Sequence, residues 1–85
     1  MTATMTTIDL KETIINVLSM IAPEANFDAL GPMDNVRETL DIDSFDFLNF
    51  LIEMDGILGV ETPEADYGKL NSMTDMVDYF AARMA

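Results

Sequence analysis

The chain has 85 residues, of which 16 are acidic and 4 are basic, and its formal net charge is −12. This length allows one modest hydrophobic core and therefore predicts a single domain over residues 1–85. The negative charge disfavours nucleic acid as a partner and favours basic protein surfaces. Cysteine and histidine are absent, which excludes disulfides, thiolate metal sites and the commonest general base, so any thiol must come from a cofactor or partner.

The N-terminal residues lack the features of a targeting segment. Residues 1–5 contain no basic residue, which argues against a secretory signal, and they are predicted to form a flexible tail. No apolar run approaches the roughly 18 residues of a membrane span. A cytoplasmic protein without a membrane span is therefore expected.

The first predicted helix runs from about Ile8 to Ile21. Thr6 and Asp9 supply a start signal, and Pro23 ends the helix. Its apolar residues recur at three- and four-residue spacings, as expected for the buried face of an amphipathic helix. These residues are Leu10, Ile14, Val17, Leu18 and Ile21.

A long connection over residues 23–43 follows. Gly31-Pro32 and Asp34-Asn35 break the helical periodicity, although residues 35–39 suit one helical turn. Loops of this length in compact domains are usually pinned to the core or functional. The predicted anchors are Phe27, Leu30, Met33, Val36 and Leu40.

The second predicted helix begins at Asp43 or Ser44 and ends near Leu58. Gly59 suits the left-handed position that often follows a helix. We expect the residues of one apolar face to be buried and those of a second, roughly opposite face to be exposed. The first face holds Phe47, Phe50, Leu51, Met54 and Leu58, and the second holds Phe45, Leu48 and Ile52.

Two shorter helices complete the predicted fold. Thr62 as cap, Pro63 at the first helical position and Gly68 as terminator predict a short third helix. The last helix runs from Met73 to about Met84, with Ser72 and Asp75 forming a capping box. Its predicted core residues are Met73, Met76, Val77, Phe80 and Met84.

No segment shows the two-residue alternation of a strand. The predicted class is therefore all-α: a small four-helix bundle with three longer helices, one short helix and a long loop between the first and second helices.

The residues Phe45, Leu48 and Ile52, named here the apolar strip, have two interpretations. An exposed apolar strip bordered by carboxylates is typical of a surface that docks transiently onto a basic, partly apolar partner. Alternatively, the helix is central and the strip is buried, or the strip closes a homodimer. We expect a monomer. The acidic stretch around the strip has eight carboxylates and no basic residue between Leu40 and Gly68.

Ser44 likewise has two interpretations. A serine at the start of a helix is most often an N-cap. A phosphodiester on the same hydroxyl would be favoured by the N–H groups and dipole of the helix N-terminus. Asp41, Asp43 and Asp46 do not form an EF-hand calcium loop, because the required glycine and glutamate are missing, and no metal site is expected.

The segment Leu40-Asp41-Ile42-Asp43-Ser44-Phe45-Asp46 resembles the modification motif of acyl carrier proteins. The spacing from Ser44 to the last helix is also similar to that family, and the resemblance covers nearly the whole chain. It implies a non-catalytic carrier, to which a phosphopantetheinyl transferase attaches 4′-phosphopantetheine from coenzyme A at Ser44. The arm would carry acyl groups as thioesters to acyl-loading and acyl-transfer enzymes.

The resemblance also implies roles for the neighbours of Ser44. Asp43 and Phe45 flank the attachment point. Phe45 is aromatic where the family usually has an aliphatic residue after the serine, and Gly56-Ile57 leaves fewer acidic residues at the end of the helix. Both departures from the family pattern indicate a specialised carrier rather than the housekeeping fatty-acid carrier. The implied partner-binding residues are Asp46, Leu48, Asn49, Ile52, Glu53 and Asp55, with Asn49 standing where an acid is usual.

Two alternatives stay open at this point. An amino-acyl or D-alanyl carrier would share the serine and the four-helix plan. An unmodified acidic module would use the apolar strip to bind a partner helix. For a carrier, the aromatic residues Phe27, Phe47, Phe50 and Phe80 predict a core with little room for a long acyl chain.

Overall fold

The computed structural model describes residues 7–84, and its regular elements are helices, with no strand within those residues. The predicted all-α class is confirmed. The predicted tail at residues 1–5 and Thr6 of the predicted start signal lie outside the described residues. Within the described part, no helix has both the length and the apolar character needed to cross a membrane.

Three long helices form the bundle, and one short helix lies in the connection between the first two. The helices are α1 (Thr7–Ile21), α2 (Val36–Thr39), α3 (Ser44–Leu58) and α4 (Met73–Met84). Helix α1 packs against both α3 and α4. The predicted buried faces form the shared core, except that Ile21, Leu58 and Met84 at the helix ends are half-buried. Full burial of one such side chain contributes about 1.5–3 kcal/mol.

Backbone hydrogen bonds hold the long connection against the start of α4. The Val36 N–H donates to the carbonyl of Asn71 at 2.7 Å. The Pro32 carbonyl accepts from both the N–H and the hydroxyl of Thr74, at 3.1 and 3.0 Å. The prediction of a pinned loop is therefore confirmed, and the connection also contains a 3₁₀ helix at Phe27–Ala29.

Four of the five predicted loop anchors contact the core. Val36 and Leu40 are buried, and Phe27 and Leu30 are partly buried against the core. Met33 is 73% exposed, so its prediction as an anchor is wrong. The cause is local, because Met33 lies in a turn closed by the Asp34 N–H and the Gly31 carbonyl at 3.2 Å, which leaves its side chain on the surface.

The predicted third helix is a 3₁₀ helix at Glu64–Lys69. Pro63 is at the N-cap position rather than the first helical position, and Gly68 lies inside the helix rather than ending it, so both of those predictions are wrong. No side chain caps this helix. Thr62 is not a cap, because its hydroxyl oxygen is buried without a hydrogen-bond partner among the described residues. A helix this short gains little from its own hydrogen bonds, so tertiary contacts determine its geometry.

Asp66 provides the main tertiary contact of this 3₁₀ helix. Its carboxylate accepts hydrogen bonds from the Tyr79 hydroxyl at 2.7 Å and from Arg83 Nη2 at 2.8 Å, and it pairs with Lys69 Nζ at 3.2 Å. The Tyr79 hydrogen bond, followed by that of Lys69, holds the pKa of Asp66 below its ordinary value, although burial opposes the shift. Asp66 thus joins the 3₁₀ helix to α4.

Helix α4 begins at the predicted capping box. The Asp75 N–H donates to Ser72 Oγ at 3.1 Å, and the Ser72 N–H donates to Asp75 Oδ2 at 3.3 Å. Each side chain satisfies a backbone donor that the helix itself leaves without an acceptor. The predicted boundaries of this helix are confirmed.

Candidate functional site at the start of α3

A tight turn joins α2 to α3. The Ile42 N–H donates to the carbonyl of Arg37 at 2.8 Å, and the Asp41 N–H donates to the carbonyl of Glu38 at 3.4 Å. These are the two bonds of a Schellman motif, whose left-handed residue is Asp41 with φ of 55°. Aspartate tolerates this conformation better than most residues. The turn buries Ile42 in the core and places Asp43 at the entrance of α3.

Asp43 is the N-cap of α3. Its backbone is extended, and its carboxylate accepts a hydrogen bond from the Asp46 N–H at 2.8 Å. Its carbonyl accepts from the Phe47 N–H at 2.9 Å. The interpretation of Ser44 as the N-cap is therefore wrong, because Asp43 already satisfies the donor that a cap would satisfy. Ser44 is the first helical residue, and it is exposed.

The Ser44 hydroxyl contacts the guanidinium of Arg37. Arg37 Nη2 donates to Ser44 Oγ at 3.0 Å, and Arg37 Cζ lies 5.0 Å from the ring centroid of Phe47. Arg37 Nε is buried and has no hydrogen-bond partner among the described residues. An unsatisfied buried donor costs about 1–3 kcal/mol. The guanidinium is thus held over an aromatic ring with unused hydrogen-bonding capacity beside Ser44.

Arg37 is not among the site residues predicted from the sequence. One signal could have identified it, since Arg37 is the only basic residue between Lys11 and Lys69. Its contact with Ser44 depends on the turn after α2, which residue patterns did not predict. The structure therefore places the cationic side chain of Arg37 at a site for which the sequence predicted only acidic and apolar residues.

The apolar strip is exposed, as predicted. Phe45, Leu48 and Ile52 have exposed fractions of 71%, 42% and 58%. The alternative of a central helix with both faces buried is wrong. The structure of one chain does not test the homodimer alternative, so the monomer stays a prediction.

Acidic side chains lie along the same helix as the apolar strip. Asp43, Glu53 and Asp55 are exposed, whereas Asp46 and Asn49 are half-buried. Within residues 7–84, no three acidic side chains converge to form a site that could hold a metal ion. The start of α3 therefore combines an exposed hydroxyl, one guanidinium, an apolar strip and several carboxylates.

Comparison with known proteins provides independent support for the resemblance noted in the sequence. No family model matches the chain. An acyl carrier protein of Rubrobacter xylanophilus is 31% identical to it over 61 residues. The similarity between the two sequences is distant. The aligned region covers 72% of this chain and 64% of the relative, so the chain spans less than two thirds of that protein's length.

The assignment of Asp43 as the N-cap of α3 predicts how substitutions at residues 43 and 44 change the stability of the protein. Asp43→Ala should lower the free energy of unfolding by about 1 kcal/mol, because the Asp46 N–H loses its acceptor. Ser44→Ala should cost clearly less, since it removes only an exposed hydrogen bond. Urea denaturation followed by circular dichroism measures both changes. Asp43→Asn is the control, because it keeps a good capping oxygen and should retain most of the stability; a larger loss in Ser44→Ala than in Asp43→Ala would contradict the assignment.

Proposed function

We propose that this chain is an acyl carrier protein that bears 4′-phosphopantetheine on Ser44 and carries acyl groups as thioesters on that arm. The observation that carries the proposal is that the Ser44 hydroxyl is accessible and does not cap the helix. It lies at the start of a 15-residue helix, is exposed, and is free of the capping role because Asp43 performs it. The acyl carrier relative supports the same assignment.

Attachment of the arm requires a nucleophilic hydroxyl that a transferase can reach. Ser44 Oγ would attack the phosphorus of coenzyme A next to the pantetheine, forming a new O–P bond. The phosphoanhydride bond breaks, adenosine 3′,5′-bisphosphate leaves with the electron pair, and the hydroxyl proton passes to the transferase. Exposure of Ser44 meets this requirement.

The residues around Ser44 fit a phosphodiester. Helix geometry leaves the N–H groups of Ser44 and Phe45 without acceptors inside α3, and the helix dipole favours an anion at this end. Arg37 places a guanidinium within hydrogen-bond distance of Oγ. When bound, the group would supply the thiol that the chain itself lacks.

The chain's own residues would bind and present the cargo rather than transform it. We propose a single non-catalytic domain of the cytoplasm whose partners supply the chemistry. Those partners are a phosphopantetheinyl transferase and enzymes that load or transfer acyl groups. The acidic surface around α3 would attract basic docking surfaces and would repel nucleic acid.

The proposed partner face combines the apolar strip with the acidic side chains of α3. An exposed apolar strip costs free energy in water, and burial against a partner removes that cost. The carboxylates would steer the encounter and set its orientation. The residues of this face are Asp46, Leu48, Asn49, Ile52, Glu53 and Asp55, with Asp43 and Phe45 beside the arm.

Modification itself tests the proposal. After incubation with coenzyme A and a promiscuous phosphopantetheinyl transferase, the chain should gain the mass of one phosphopantetheinyl group. Ser44→Ala should gain none, because it lacks the hydroxyl while keeping the Asp43 cap. Intact-protein mass spectrometry measures both. An unmodified wild-type chain would favour the acidic interaction module instead.

The partner face is tested by reversing one of its charges. Glu53→Lys should lower kcat/KM of the transferase by about tenfold at low salt, because a basic partner would meet a repulsive charge, and by less at high salt. Asp78→Lys makes the same charge change at an exposed position of α4 and is the control. Equal rates for the two variants at low salt would count against this docking face.

Aromatic rings fill the core where α3 meets its neighbours. The Phe47 ring lies 6.1 Å from Phe50 and 6.0 Å from Tyr67, and Phe50 lies 6.4 Å from Phe80. Phe47 is 3% exposed, and Phe50 and Phe80 are fully buried. The cleft between α3 and the second 3₁₀ helix measures only about 80 Å³. We therefore propose that the carrier shelters long acyl chains poorly and serves short or unusual ones.

A larger groove beside the turn before α3 does not alter this proposal. It measures about 510 Å³ and runs along the end of α1 and the turn before α3. Glu24, Asp41 and Asp46 are among its lining residues. Carboxylates on an open groove disfavour the burial of an apolar chain, because they would lose hydration without gaining a partner.

Acyl-chain length provides the test of cargo. Acetyl, butyryl, octanoyl and palmitoyl groups loaded on the Ser44-linked arm should each change the melting temperature by less than about 4 °C. If the core sheltered the chain, each buried methylene would add about 0.8 kcal/mol of stability, and the melting temperature would rise steadily with chain length. Phe47→Leu should introduce a dependence on chain length by opening space beside Tyr67. Differential scanning calorimetry measures the shifts, and a steady rise in the wild-type chain would refute the proposal.

A further inference from the structure

Arg37 occupies a distinctive position in the charge distribution of the chain. Of the four basic residues, Lys69 and Arg83 are engaged with Asp66. Arg37 is the only basic residue between Lys11 and Lys69. It has no carboxylate partner among the salt bridges of the described residues, although Asp41, Asp43 and Asp46 surround the same turn. Its charge is therefore directed to something other than an acidic side chain.

Three contacts hold Arg37 beside Ser44. Its backbone carbonyl, in α2, accepts the Ile42 N–H at 2.8 Å, which ties Arg37 to the turn that follows α2. Its guanidinium lies over Phe47, with Cζ 5.0 Å from the ring centroid, a distance suited to a cation–π contact. Its Nη2 donates to Ser44 Oγ at 3.0 Å. Because Phe47 is three residues after Ser44, ring and hydroxyl lie on neighbouring positions of one helix face.

The contacts of the guanidinium leave part of its binding capacity unused. Arg37 has five N–H donors, of which one meets Ser44 Oγ, and the buried Nε has no partner among the described residues. A neutral hydroxyl is a weak partner for a guanidinium. A phosphodiester offers charged oxygens, which bind arginine in a bidentate manner and with about twice the strength of neutral acceptors.

A phosphodiester on Ser44 would need such a partner. It would add a negative charge close to Asp41 and Asp43 in the turn and to Asp46 in the first turn of α3, in a chain of net charge −12. The N-terminus of α3 compensates only in part, because the Asp43 carboxylate already occupies the Asp46 N–H. The nearest cation is then Arg37.

We infer that Arg37 is the positioning residue that anchors the phosphate of the modified carrier. The inference rests on the proposed modification of Ser44. In the unmodified chain Arg37 donates to the hydroxyl, and after esterification it donates to the charged phosphate oxygens. Phe47 and the turn after α2 hold the guanidinium in place for both states.

The test compares unmodified and modified forms of each variant. Arg37→Gln should lower the folding equilibrium constant about tenfold more in the modified chain than in the unmodified chain, because only the former loses a charge-assisted phosphate contact. Arg37→Lys should lie between wild type and Arg37→Gln, since it keeps the charge and loses the planar fork. Urea denaturation of mass-verified samples measures each constant.

Arg83→Gln is the matched control. Arg83 also combines a side-chain hydrogen bond, to Asp66 at 2.8 Å, with a cation–π contact, to Tyr79 at 4.4 Å, but its partners do not include Ser44. Arg83→Gln should lower the folding equilibrium constant by the same factor in the modified and unmodified chains. An Arg37→Gln effect that is likewise equal in the two forms would show a purely structural role and would overturn the inference.

A spectroscopic measurement covers the case in which an Arg37 variant fails to fold. In the wild-type chain, the ¹⁵N–¹H resonances of the Arg37 guanidinium, whose Nη2 contacts Ser44 Oγ, should shift on modification, and the ³¹P resonance should differ from that of the urea-denatured modified chain. Unchanged guanidinium resonances would overturn the inference alone. Failure of the wild-type chain to gain the phosphopantetheinyl mass would overturn the proposed function and this inference together.

Discussion

The hydrogen bond from the Asp46 N–H to the Asp43 carboxylate, 2.8 Å long, determines where α3 begins. Successive helical residues are separated by a constant rotation, so the burial of Phe47, Phe50 and Met54 fixes the angular position of the other side chains of α3. The apolar strip therefore faces solvent. The bond from the Asp46 N–H to Asp43 also releases the Ser44 hydroxyl from a capping role, so Ser44 stays exposed at the start of α3.

The turn before Asp43 makes this cap possible. Asp41 adopts a left-handed conformation, which reverses the chain direction after α2 and buries Ile42. The reversal also brings Arg37 next to Ser44, although seven residues separate them in the chain. The cap, the cation and the hydroxyl therefore depend on a single turn, and the aromatic ring of Phe47 supports the guanidinium from the core side.

Charge is distributed unevenly over this acidic chain. Asp66 forms ion pairs with Lys69 and Arg83, and the pair with Arg83 joins the second 3₁₀ helix to α4. These two basic side chains therefore stabilise the fold. The carboxylates of α3 have no such partners among the ion pairs of the described residues, and they are available to basic proteins. Arg37 differs from both groups because it contacts a neutral hydroxyl. In the proposed carrier, this division would let the face along α3 attract basic partners while Arg37 stays beside the residue that would hold an anion.

Local patterns in the sequence determined the long helices, their buried faces, the exposed strip and the capping box of α4, because each depends on residues within a few positions of one another. Ser44 was identifiable from its motif. Only the structure decided that Asp43 rather than Ser44 is the cap, because aspartate and serine are both preferred at that position. It also decided that the segment after Pro63 is a 3₁₀ helix tied through Asp66 and that Arg37 contacts Ser44. These last two features depend on tertiary contacts or on a turn, for which neither periodicity nor residue preference carries a signal.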